Sequence, residues 1–123
     1  MTPHEHRSKA ERIERSLAKC GPADYEMTIE AAMLAGTHWL NLALHRRAVT
    51  ADQADVLHTY MLTVNELRRY RVADAELVDA LAEIEDIRPP YVRGNHPGGE
   101  KAAQRALALL GLLRRKALAP AAA

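Results

Sequence analysis

Between Ile84 and Glu100 the chain gathers Arg88, Tyr91, Arg93, Asn95 and His96 into one stretch punctuated by Pro89-Pro90, Gly94 and Pro97-Gly98-Gly99, with Lys101 just beyond. A guanidinium pairs with phosphate oxygens through parallel N–H donors, and an imidazole exchanges a proton near neutral pH. Arg88 with His96 is therefore the candidate catalytic pair. Arg88, Tyr91, Arg93, Asn95 and Lys101 are the candidate phosphate- or partner-binding residues. The charge changes sign at this break. Residues 72–87 hold Asp74, Glu76, Asp79, Glu83, Glu85 and Asp86 with no base, whereas every charged residue from Arg88 onward is basic except Glu100. If the flanking helices lie side by side, these charges make inter-helix ion pairs; if they diverge, the bases and the amides of a helix opening at Gly98-Gly99 can meet phosphate.

A second set lies upstream. Glu30, Thr37, Asn41 and His45 fall on one face of a helix that is otherwise apolar, with His38 beside them. This stripe is either a hydrogen-bonded polar face or a metal site built from Glu30, His38, His45 and His58. Carboxylate-bridged metal bundles use Glu-x-x-His pairs, and the chain has none. The lone Cys20 excludes an internal disulfide and a Cys-rich zinc site, and neither a Walker motif nor a dinucleotide-binding glycine pattern is present. No cofactor is implied.

Helices must position these residues. Thr2-Pro3-His4-Glu5 reads as a capping box opening a helix to about Lys19, and Cys20-Gly21-Pro22 stops it, with Gly21 suited to a left-handed cap. Asp24 caps a long, apolar second helix from Tyr25 to Arg47. Thr50-Ala51-Asp52-Gln53 reads as a second capping box, opening a third helix with Val56, Leu57, Tyr60, Met61, Val64 and Leu67 on its apolar face. Asp74 caps a fourth, ended by Pro89-Pro90, because a residue before proline is steered out of helical geometry. Gly98-Gly99 opens a fifth, with Ala103, Ala106, Leu107, Leu110 and Leu113 inward. The expected architecture is an up-and-down, all-α bundle of four or five helices, one domain over residues 1–118 with an Ala-rich tail at 119–123. Trp39 and Tyr60 are expected as core or interface anchors.

A chain of 123 residues with 17 basic and 16 acidic side chains has nearly no net charge, so nucleic-acid affinity must come from a local patch. The polar, acid-containing N-terminus is no signal peptide, and Ala31–Gly36 is too short an apolar run for a bilayer, so no membrane partner and a cytoplasmic location are expected.

The long second helix, the Ile84-Glu85-Asp86-Ile87-Arg88 helix end, the Tyr91-Val92-Arg93-Gly94 turn and the closing helix together resemble a HEPN domain, the helical bundle named for higher eukaryotes and prokaryotes nucleotide-binding. The resemblance covers most of the chain and rests on pattern more than on identities. It implies a homodimer in which Arg and His from such loops act on RNA. Here Arg88 is in register, but Pro89 stands where the family has a polar residue. Seven residues separate Arg88 from His96, more than is usual in the family. The resemblance therefore implies a HEPN-like protein binding nucleotide, phosphate or RNA through the Arg88–His96 loop at a dimer interface, with ribonuclease activity dependent on whether His96 reaches Arg88. The alternatives are a non-catalytic protein-interaction or dimerisation module and a His/Glu metal-binding bundle.

Overall fold

The computed structural model describes residues 1–120, and among these it is all-helical, without strands. Four α-helices form a bundle: α1 (Pro3–Leu17), α2 (Tyr25–Arg46), α3 (Val64–Arg88) and α4 (Gly99–Leu118). A 3-10 turn, Thr59–Met61, precedes α3, and a π-turn, Pro89–Arg93, follows it. No described helix is long and apolar enough to cross a membrane.

Helix α2 is the centre and packs on each of the other three. Its Ile29, Ala32, Trp39, Leu40 and Leu44 are buried with Leu77, Leu81 and Ile84 of α3 and Ala106, Leu110 and Leu113 of α4. Burying each of the larger side chains stabilises the fold by roughly 1.5–3 kcal/mol. Trp39 is a core anchor whose indole Nε1 donates to Glu14 Oε2 at 2.8 Å. A Cβ on Gly36 would sit 3.0 Å from Leu113 Cδ1, so the bare backbone there lets α4 close on α2.

The α1 capping box forms as expected, with Glu5 N donating to Thr2 Oγ1 at 3.2 Å and Thr2 N to Glu5 Oε2 at 2.9 Å. Gly21 does not take the left-handed conformation. Instead α1 ends in a tightened turn, and the Asp24 carboxylate accepts the Gly21 N–H at 2.8 Å, so Asp24 stands at the α2 N-cap position without the side-chain bond to α2 expected of it.

The third expected helix is corrected. Residues 51–58 are irregular, and the capping box that opens α3 is Thr63 with Glu66, at 2.9 and 3.1 Å. Thr50 is engaged by the His45 ring instead. Consequently, of the expected apolar face only Val56 is buried and Leu67 half-buried; Leu57, Tyr60, Met61 and Val64 are exposed.

The expected third and fourth helices run together as α3, broken at Asp74, whose φ of −164° and ψ of 96° leave the helix. The Asp74 carboxylate accepts Leu77 N at 3.1 Å, capping the second half as expected, and pairs with Arg47 at 2.9 Å and Lys116 at 3.2 Å. Pro89-Pro90 does not end the helical path. Arg88 stays helical at φ −60°, ψ −50°, and the chain widens into the π-turn, closed by Gly94 N on Pro89 O at 2.9 Å. The wider turn gives the two proline rings room where a regular α-turn would press them on preceding carbonyls. On α4, Leu107 is exposed and Leu109 buried in its stead. The helix runs to Leu118; residues 121–123 of the expected tail lie outside the described residues.

Candidate functional site

Arg88, on the last turn of α3, faces α2. Its Nε donates to Glu30 Oε1 at 2.7 Å and its Nη2 to Glu30 Oε2 at 3.3 Å, so the guanidinium fork is filled by its own chain. His96 is exposed and shares neither a hydrogen bond nor a pocket with Arg88. It meets the Tyr91 ring edge-on, centroids 5.5 Å apart. Asn95, His96 and Lys101 line an open pocket of about 730 Å³ at the start of α4, with Tyr25 and Gln104. Gly98 there has φ 97°, and a Cβ on Gly99 would lie 2.4 Å from the Tyr25 ring, which therefore rests on bare backbone. Neither Arg88, Tyr91 nor Arg93 reaches this pocket.

The sign change in charge resolves as side-by-side pairing. Arg105 binds Glu83 through Nε at 2.5 Å and Nη2 at 2.8 Å, and Lys116 binds Asp74 at 3.2 Å and Glu76 at 3.3 Å. Among the described residues Arg93 and Lys101 make no ion pair.

The polar stripe of α2 divides. Glu30 belongs to Arg88, and Thr37 returns its hydroxyl to Met33 O at 2.8 Å. Asn41 clamps the loop after α2: its Nδ2 donates to Val56 O at 2.8 Å and its Oδ1 accepts Val56 N at 2.7 Å. This clamp holds the neighbouring Asp55 against two histidines. His45 Nε2 lies 2.7 Å and His6 Nε2 2.9 Å from the same oxygen, Asp55 Oδ1. Each ring is fixed from behind, His45 Nδ1 by Thr50 Oγ1 at 2.6 Å and His6 Nδ1 by His38 Nδ1 at 2.9 Å. The Met1 amino group lies 3.0 Å from Asp55 Oδ2. Of the expected metal set Glu30, His38, His45 and His58, the structure thus brings together only His38 and His45. It adds His6 and Asp55, and it seats His58 on Glu85 at 2.9 Å.

Both additions have a sequence signal of different strength. His6 stands on the apolar stripe of α1 with Ala10, Ile13 and Leu17, where a polar residue needs a partner. Asp55 is concealed by the capping-box pattern at Thr50, which assigns it to a helix that does not form.

Burial is the largest influence on Asp55 and pushes its pKa up, yet the hydrogen bonds from His45, His6 and the Met1 amino group outweigh it and hold the carboxyl at about 2. Burial, followed by the neighbouring His6 and Lys9, lowers His38 to about 4. His6 is also lowered by burial, against its bond to Asp55. Near neutral pH, His6 and His38 are therefore neutral and Asp55 ionised, the forms in which these groups act as metal ligands or hydrogen-bond relays.

A third cluster braces the loop. Glu85, buried on α3, accepts from Thr59 N at 3.1 Å, from the Thr59 hydroxyl and from His58. The His58 ring stacks on Tyr60 at 4.7 Å, holding Tyr60 outward.

Fold and site together define an all-α bundle in which two buried histidines meet one partly exposed aspartate. No family model, curated protein or solved structure matches the chain.

Proposed function

We propose that this chain is a HEPN-like bundle acting as a protein-interaction module, which associates with a second copy through Leu57–Met61 and the first half of α3. One observation carries this reading: Leu57, Tyr60, Met61, Val64 and Val72 are between 63% and 83% exposed, and from Tyr60 to Glu76 only Tyr70 is buried. The segment is nevertheless held in place by the Thr63 capping box and the Glu85 brace, so these side chains are presented outward. Large apolar side chains left exposed together on one segment mark an interaction surface. Val64, Leu67, Arg68, Arg71, Val72 and Ala75 line a groove of about 410 Å³ beside it. A two-fold pairing would let each copy insert its exposed side chains against the other's groove. Light scattering on the purified chain tests it: a dimer is expected at micromolar concentration, and a monomer from the double variant Tyr60→Ser, Val72→Glu with unchanged helicity. A wild-type monomer under the same conditions would sink the reading.

A second reading, binding of nucleotide, phosphate or RNA, is favoured by the pocket that Asn95, His96 and Lys101 share with Tyr25 at the positive end of α4. Arg88 contributes little to it while Glu30 occupies the guanidinium. Titration with inorganic phosphate and adenosine monophosphate should shift the Asn95–Lys101 amides, and Lys101→Ala should abolish the effect. RNA cleavage without added metal that required both Arg88 and His96 would instead restore the ribonuclease reading.

A further inference from the structure

We propose that His6, His45 and Asp55 form a binding site for a divalent transition-metal ion, with His6 Nε2, His45 Nε2 and Asp55 Oδ1 as ligands. The site is remote in sequence from the Arg88 loop and independent of the self-association reading.

The three ligand atoms come from α1, α2 and the loop after α2, and all lie within 4.8 Å of one another. Three separate segments have been folded so that two imidazole nitrogens face one carboxylate oxygen, at 2.9 and 2.7 Å. Donors about 2.1 Å from an ion are about 3.0 Å apart at right angles and about 3.4 Å apart in a tetrahedron. The two nitrogen-to-oxygen spacings lie nearer the first, and a small outward movement of each ligand admits the ion. The histidines are buried, whereas Asp55 keeps about a quarter of its side chain exposed, leaving an approach for the ion and for water on the remaining positions.

What lies behind the ligands fits the same role. Metal-bound histidines donate their other ring N–H to an acceptor that fixes the tautomer. Thr50 Oγ1 and His38 Nδ1 stand at those places, and both can accept. The arrangement is consistent in both states. Without the ion, each Nε2–H donates to Asp55, and each Nδ1 accepts from Thr50 or His38. With it, the proton of each ligand ring resides on Nδ1, the Thr50 hydroxyl turns to accept, and His38 accepts once its own proton has passed from Nδ1 to Nε2, so no net proton need leave the three rings. The remaining device is backbone: Ala48, at a positive φ of 57°, turns the chain sharply enough to return Thr50 to the His45 ring. Two imidazoles with one carboxylate select zinc, cobalt, nickel or ferrous ions over magnesium and calcium, which prefer oxygen ligands.

The test uses untagged full-length chain stripped with chelator and titrated with Co²⁺, then with Zn²⁺ as competitor. One Co²⁺ per chain is expected, with the weak visible absorption of a five- or six-coordinate ion. His45→Ala and Asp55→Asn should abolish binding, Thr50→Val and His38→Ala should weaken it about 10–100-fold, and His58→Ala should leave it unchanged. Because His6 and His45 are buried and their variants can misfold, nitrogen NMR of the wild-type rings gives a second readout. Zn²⁺ should move the proton of His6 and His45 from Nε2 to Nδ1 and that of His38 from Nδ1 to Nε2. Wild-type protein that binds neither ion, ions that perturb only the exposed histidines, or binding that survives in folded Asp55→Asn would each overturn the proposal.

Discussion

The Arg88 guanidinium is seated on the Glu30 carboxylate through two bonds, at 2.7 and 3.3 Å, tying the end of α3 to α2. Sequence distance conceals this pair, which spans 58 positions. It turns the leading cation of the expected phosphate loop into a brace, and it leaves the loop's remaining polar groups, Asn95, His96 and Lys101, to a separate pocket.

Glu30→Gln should destabilise the chain by about 1–3 kcal/mol, because a partly buried guanidinium loses its charged acceptor. Arg88→Met should cost less, since Glu30 is more exposed than Arg88 and can rehydrate. Urea unfolding of both variants checks the order; equal or reversed losses would show that the pair does not brace the bundle.

Acid should destabilise the protein in two steps. The folded pKa of His38, about 4, lies below its ordinary 6.5, so the unfolded chain binds the extra proton first and stability falls as pH drops from 6.5 toward 4. Asp55, held at about 2 against an ordinary 3.8, adds a further loss between those values. Urea midpoints measured across this range should decline in both windows, and His38→Asn should shrink the upper decline to the share left by His6, which burial also lowers. A midpoint independent of pH from 6.5 to 4 would contradict the buried, neutral His38.

Ala48→Gly should stabilise the chain by about 0.5–1 kcal/mol. The left-handed conformation costs an L-residue roughly 1–2 kcal/mol, partly offset by the greater unfolded freedom of glycine. Ala48 is exposed, so no packing is lost, and thermal unfolding should show a rise of a few degrees. A fall would mean that the turn is not strained.

Glu85→Ala should release the Thr59–Met61 turn. Thr59 N and its hydroxyl lose their acceptor together with His58, at a cost of about 2–4 kcal/mol. Hydrogen exchange should rise at Thr59, Met61 and Leu62 before it rises in α4, whereas uniform exchange would place the loss in the bundle as a whole.

Much of the fold is legible because local rules and tertiary contacts agree. The Thr2 capping box, the long apolar α2 and the Asp74 cap each follow from spacing and side-chain chemistry within a few residues. Legibility fails where a local signal meets a stronger distant one. Thr50 and Gln53 carry the pattern of a helix start, but the Thr50 hydroxyl is claimed by His45. At Pro89-Pro90 the chain keeps its helical course by widening rather than stopping.

The sequence alone determines an all-α chain, the helix-starting residues at Thr2 and Asp74, and a set of polar side chains on α2 that must find partners. Which partners they find is decided only in three dimensions. Glu30 takes Arg88, Asn41 takes Val56, and His45 meets His6 across Asp55. The physical reason is that helical periodicity fixes which face a residue lies on, while hydrogen-bond partners depend on how helices and loops pack, and that depends on groups far apart along the chain.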